Sequence, residues 1–191
     1  ARAPHVRGRR VVHGGPVAQF NGRGGEYTAT VICIEKKRYE AEIKAVAPRD
    51  VGLPYAVTLA QALPESSKMD WIIEKAIELG ASGIVPLATQ RCVVRLGGER
   101  AEKKQAHWQA VVVAASEQSG RNRLARVHAL SEFGAWMAQQ DMHKRIILSP
   151  GAPQSLADWA HHQPPQAICL IVGPEGGLNL QEEHCALASG A

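Results

Sequence analysis

The sequence predicts an α/β protein in which a small β domain precedes a larger domain built on a parallel sheet. Three observations carry this. Residues 1–50 hold strand-like segments separated by glycine-rich or charged turns, with no helical periodicity between them. From Tyr55 onward strand-like and helix-like segments alternate, the pattern of a parallel sheet covered on both faces. Between these regions Pro48–Pro54 clusters Pro, Asp and Gly as a linker would. The domain boundaries drawn from this are 1–50 and 55–191.

In the first region Val17–Phe20, Tyr27–Glu35 and Tyr39–Val46 read as strands, with turns at Asn21–Gly25 and Glu35–Arg38. The second region opens with a strand at Val57–Leu63 and a helix at Ser67–Leu79. That helix carries an apolar face of Met69, Ile72, Ile73, Ala76, Ile77 and Leu79. Ser67 with Asp70 three residues on has the spacing of a capping box, and Gly80 supplies the stop. The strand Ile84–Leu87 follows, then a long helix over Glu99–Ser119 and a short strand at Ala125–His128. A helix at Ser131–Gln140 leads to the strand Arg145–Leu148, and a short helix Ser155–His161 to the most apolar strand, Ala167–Val172. A final helix starts near Leu180.

Composition narrows the class. Hydrophobic residues make up 45% and charged residues 21% of the 191, which suits a globular protein. Apolar runs such as Ala167–Val172 are too short to cross a bilayer, and Ala1–Val12 is basic without the apolar core of a signal peptide. The cysteines, Cys33, Cys92, Cys169 and Cys185, lie far apart with no C-x-x-C pair. That argues against both a zinc ribbon and a disulfide framework, and leads us to expect buried thiols and a cytoplasmic location. His161-His162 has no third ligand at sensible spacing, so no metal is expected. Net charge is +4, yet residues 1–50 hold ten Arg or Lys against five acids, so this excess of five leaves the remainder at −1. A local basic excess is the footprint of a polyanion partner, and equally of a solvated basic surface.

Ligands of parallel α/β sheets bind at the carboxyl ends of strands, and three segments leave strands or helices with unusual composition. Gly173-Pro174-Glu175-Gly176-Gly177 follows the most apolar strand; its glycines let backbone amides approach a ligand, and Glu175 is a candidate acceptor for a ribose hydroxyl or substrate N–H. A plain strand-to-helix turn would explain the same glycines. Ser116–Arg123 gathers polar side chains around Gly120. Arg121 and Arg123 suit phosphates and Glu117 or Gln118 a base, although cations also favour any helix C-terminus. Leu148-Ser149-Pro150-Gly151-Ala152 is a third strand-end turn. Walker, G-x-G-x-x-G and G-x-S-x-G patterns are absent.

Four segments, in order along nearly the whole chain, resemble the RsmE family of knotted SPOUT methyltransferases, which methylate N3 of a uridine in small-subunit (16S) ribosomal RNA. They are Phe20-Asn21-Gly22-Arg23-Gly24-Gly25-Glu26, Lys68–Gly80, Glu117-Gln118-Ser119-Gly120-Arg121-Asn122-Arg123 and Gly173-Pro174-Glu175-Gly176-Gly177-Leu178. The resemblance implies a PUA-like β-barrel that holds RNA, a SPOUT-type parallel sheet with a C-terminal trefoil knot, and a homodimer with no membrane or metal partner. It implies that S-adenosylmethionine contacts fall on Leu148, Ser149 and Pro150 and on Gly173, Pro174, Glu175 and Gly176. Ser149 departs from a histidine that some members carry. RNA contacts are implied for Arg7, Arg9, Arg10, Arg23, Lys68, Arg121 and Arg123, and catalytic roles for Arg121, Glu117 and Glu175. Members continue beyond the last helix into a stretch that completes the knot and wraps the adenosine. This sequence starts at Ala1 rather than Met and stops at Gly190-Ala191, so a barrel lacking its N-terminal start and a knot lacking its C-terminal end are expected. A non-catalytic RNA-binding assembly factor and a knotted methyltransferase acting on transfer RNA are the alternatives.

Overall fold

The computed structural model describes residues 5–6, 12–35, 38–65, 67–139 and 143–191. Arg7, Arg9 and Arg10, three of the residues assigned to RNA, lie outside the described residues, as does Gln140 at the end of one expected helix. Two compact units emerge. One comprises 1–52 with 113–124, the other 53–112 with 125–191. The stretch 113–124 thus groups with the β unit, where the sequence placed a single boundary between 50 and 55.

The first unit is an antiparallel sheet in the order β1-β2-β3-β4, formed by His5–Val6, Pro16–Phe20, Glu26–Ile34 and Tyr39–Ala47. Alternation along the strands sends Val17, Ala29 and Val31 into a small core, with Tyr39 and Ala41 packed against it. The turn joining β2 to β3 holds Gly22, Gly24 and Gly25 at φ of 80°, 92° and 78°, values that any side chain would resist. Among the described residues β4 pairs only with β3, and it stays mostly exposed.

The second unit follows the expected alternation: β5 (Val57–Ala62), α1 (Lys68–Leu79), β6 (Gly83–Ala88), α2 (Gly98–Ser119), β7 (Arg126–Val127), β8 (Ser131–Glu132), α3 (Phe133–Met137), β9 (Lys144–Leu148), α4 (Leu156–His161), β10 (Ile168–Val172) and α5 (Leu180–Ala188). α2 begins in this unit and runs into the first after Val112. The sheet is parallel in the order β7-β6-β5-β10-β9, and β8 also pairs with β6. β6 is buried along its whole length, as befits a strand covered on both faces. The core joins Ala60, Val85, Leu87, Cys169 and Ile171 of the sheet to Phe133, Trp136 and Met137 of α3 and Ala186 of α5. α1 buries Met69, Ile73 and Ile77, spaced by four residues on one helical face.

Several expectations are corrected. Ser67 makes no capping bond, because its own backbone is already helical (φ −88°, ψ −21°), and Asp70 Oδ2 instead meets His107 Nε2 at 2.6 Å. The capping box belongs to α5, where Asn179 and Glu182 satisfy each other's backbone N–H groups. The helix expected over Ser131–Gln140 begins as β8 and is helical only from Phe133 to Met137. Its end is tied to Arg145, which is buried over the Trp136 ring at 4.4 Å and donates to the carbonyls of Met137 and Gln139 at 2.8 and 2.9 Å. All four thiols are free, but only Cys92 and Cys169 are fully buried. Among the described residues no helix is long and apolar enough to cross a membrane, and no group of three His, Cys, Asp or Glu is placed to hold a metal.

Candidate functional site

Sheet register sets the geometry of the second unit. Val172 at the end of β10 lies opposite Gln61 of β5 on one side and Leu148 of β9 on the other. The loops that leave these strands therefore start side by side. The strand order also reverses here, since β6 continues outward from β5 while β9 lies on the far side of β10. The crevice at such a switch point is where open parallel sheets take ligands.

The Gly173–Leu178 loop is folded tightly on itself. A Cβ on Gly173 would stand 3.0 Å from the Leu178 nitrogen and 3.1 Å from the Gly177 carbonyl carbon, so no other residue fits without opening the loop. Gly177 has φ of 70°, and its N–H donates to the Pro174 carbonyl at 2.8 Å. The buried Gln61 side chain donates to the Gly173 carbonyl at 3.2 Å and to Ala62 at 2.9 Å.

Glu175 projects from this loop towards the start of α1. Its Oε1 accepts from Lys68 Nζ at 2.8 Å and from the Glu65 N–H at 3.1 Å. The Lys68 ammonium, aided by backbone N–H groups, holds the Glu175 carboxyl down at about 2, and the Glu175 carboxylate raises the Lys68 pKa in return. Such a carboxylate is ionised at neutral pH, accepts hydrogen bonds well, and is a weak proton acceptor.

Residues that the sequence did not single out hold the other side of the loop. Arg91 Nη1 donates to the carbonyls of Gly176 at 2.8 Å and Leu178 at 3.1 Å. Its neighbour Gln90 donates its N–H to Glu182 Oε1 at 2.8 Å and accepts from Asn179 Nδ2 at 2.8 Å. Arg91 and Gly176 are 85 positions apart in the chain, and no spacing rule marks such a pair.

The β9 loop builds a second wall. Ser149 Oγ lies 3.3 Å from Glu183 Oε1 and also faces the Gly151 N–H at 3.4 Å. A cavity of about 760 Å³ opens beside it, bordered by Leu148, Pro150, Leu156, Trp159, Glu183 and Leu187, among others. Size and lining suit a small organic ligand with an apolar ring and a polar edge. The Gly173–Gly177 loop does not border this cavity, so the two segments that the sequence assigned to one cofactor are adjacent at their strand ends without sharing that space.

In the first unit the other two motifs meet. Leu124 donates its N–H to the Gly22 carbonyl at 3.0 Å, Gly24 donates to Asn122 at 3.0 Å, and Arg23 bridges Arg123 in antiparallel fashion. Arg121 donates to the Val51 carbonyl, and Arg123 pairs with Asp50, whose carboxyl is held below the usual range by that guanidinium. The exposed Arg23 stands on the same turn. Glu117 is half-buried in the last turns of α2, where its charge contributes to raising the Tyr39 pKa, behind the larger effect of burial. Sequence motifs one and three thus form one polar surface, and motifs two and four form another.

Residues 52–191 match the model of the RNA methyltransferase domain. The chain is 32% identical over 173 residues to the ribosomal RNA small subunit methyltransferase E of Bacillus subtilis (strain 168), covering 80% of this chain and 68% of that protein. It is 34% identical over 142 residues to the protein of the same description from Synechocystis, covering 72% of this chain and 46% of that one. The crystal structure of a ribosomal RNA small subunit methyltransferase E from Neisseria gonorrhoeae bound to S-adenosyl methionine superposes with a TM-score of 0.87 at 37% identity, covering 95% of this chain and 74% of that one.

Proposed function

The chain belongs to the ribosomal RNA small subunit methyltransferase E family of RNA methyltransferases, and we propose that it transfers a methyl group from S-adenosylmethionine to N3 of a uridine in small-subunit (16S) ribosomal RNA. The observation that carries this reading is the set of aligned strand ends, where the self-folded Gly173–Leu178 loop and the Leu148–Pro150 turn leave adjacent parallel strands. The residues present fit the donor. Leu148, Pro150, Leu156 and Trp159 offer an apolar slot for an adenine, while Ser149 and Glu183 supply polar partners at its edge.

When bound, S-adenosylmethionine supplies a methyl group on an activated sulfonium centre. The chain's task is then placement of the nucleophile about 3–3.5 Å from that carbon. Glu175, held ionised by Lys68, acts as a fixed acceptor for a donor or substrate hydrogen rather than as the base. The proton on uridine N3 passes to solvent before or during the attack. In this reading Lys68 serves the donor loop first, and contact with RNA falls to the basic turn of Arg23 and Arg123 with Arg7, Arg9 and Arg10. The β unit is part of a PUA-like barrel that holds RNA, the methyltransferase unit is part of a SPOUT-type domain with a C-terminal trefoil knot, and the cytoplasmic protein works as a homodimer.

Calorimetric titration with S-adenosylmethionine tests the reading. Saturable one-to-one binding per chain is expected. A folded protein that releases or absorbs no heat on titration would leave a non-catalytic RNA-binding factor in its place.

A further inference from the structure

Arg91 lies in none of the segments that the sequence singled out, yet it touches the donor loop more directly than any of them. Its Nη1 carries two N–H groups, one for the Gly176 carbonyl at 2.8 Å and one for the Leu178 carbonyl at 3.1 Å. The opposite ends of the same two peptide groups are also held. The Gly177 N–H goes to the Pro174 carbonyl at 2.8 Å, and the Asn179 N–H goes to Glu182 Oε2 at 2.9 Å. Because a peptide unit is planar, fixing its oxygen and its hydrogen fixes the whole plane. Both peptides on the C-terminal side of the loop are therefore immobilised.

The arm that carries Arg91 is itself braced. Arg95 donates to the carbonyls of Thr89 at 3.3 Å and Gln90 at 2.9 Å, and Gln90 is tied to Asn179 and Glu182 at the start of α5. A charged donor makes hydrogen bonds roughly twice as strong as a neutral one. Arg91 is also exposed, so its removal opens no cavity in the core.

We propose that Arg91 is a positioning residue for the methyl donor, clamping the Gly176 and Leu178 carbonyls so that the glycine-rich loop is shaped for the donor before it arrives. The inference rests on the reading of this loop as the donor-binding loop. Preorganisation of this kind appears in affinity, because a loop that is already ordered loses less freedom on binding.

Arg91→Ala and Arg91→Lys, studied beside the unaltered protein, provide the test, with donor affinity by calorimetry, KM and kcat for methyl transfer, and thermal melting. The expected result for Arg91→Ala is a loss of donor affinity of about tenfold or more with a matching rise in KM, while kcat stays within about threefold and the melting temperature is unchanged. Arg91→Lys restores part of the affinity, since an ammonium still donates to one carbonyl. Unaltered donor affinity in Arg91→Ala overturns the inference while leaving the donor-loop reading intact. A loss explained by lowered melting temperature and unrelieved by lysine also overturns it. Absence of donor binding by the unaltered protein overturns both.

Discussion

Glu175 shows how one neighbour decides what a side chain can do. Without Lys68 only the backbone N–H groups would remain to lower its carboxyl; with the ammonium at 2.8 Å as well it is held at about 2. The folded-state pKa is lowered, so the pair's contribution to loop stability is present above the ordinary carboxylate pKa of 4.5 and is lost as pH falls towards 2. A carbon NMR titration of the Glu175 carboxyl is expected to give a midpoint near 2, rising towards 4.5 in Lys68→Met; an unperturbed midpoint in the unaltered protein would break this account. Gly173 supplies a second prediction. Gly173→Ala forces a Cβ to within 3.0 Å of the Leu178 backbone nitrogen, so the loop must open, and donor affinity measured by calorimetry should fall at least tenfold. Ordinary affinity in that variant would mean the tight loop is unnecessary. The glycines were legible in the sequence because three of them follow an apolar strand. The pairing of Lys68, read from sequence as an RNA contact, with Glu175 was not legible because an ion pair over 107 positions leaves no local trace.

At the scale of elements, the strand–helix alternation was legible because each segment carries its own period, two for the strands and near four for Met69, Ile73 and Ile77 of α1. Ile73 is fully buried, so Ile73→Ala is expected to lower stability by about 2–5 kcal/mol in urea unfolding. The two capping sites make a sharper comparison. Asn179→Ala removes a bond to the Glu182 N–H at 2.8 Å and is expected to destabilise by about 1 kcal/mol, whereas Ser67→Ala removes no capping bond and should be near neutral. Equal losses at the two sites would restore the capping box that the sequence suggested at Ser67. That error has a physical origin: the spacing of serine and acid was right, but the chain enters α1 through a turn in which Lys68 donates its N–H to Glu65, leaving Ser67 already helical. The short α3 was hidden for a similar reason, since its end is governed by Arg145 on a different element.

For the molecule as a whole, two polar surfaces are built from four motifs, paired in a way that their order in the chain does not reveal. The first and third meet in the β unit through Gly22, Gly24, Asn122 and Leu124; the second and fourth meet in the methyltransferase unit through Lys68 and Glu175. The proposed function assigns RNA phosphates to the β unit and the donor to the other unit. Arg23→Ala is accordingly expected to weaken RNA binding, to lower the slope of log affinity against log salt by about 1, and to leave donor affinity unchanged. An unchanged salt slope would remove Arg23 from the RNA surface. The central claim, methyl transfer to small-subunit ribosomal RNA, is tested most directly by mass mapping of methylated nucleosides on that RNA from cells with and without the gene. The account predicts that one 3-methyluridine disappears on deletion and returns when the gene is restored; identical maps from the two cells would contradict it.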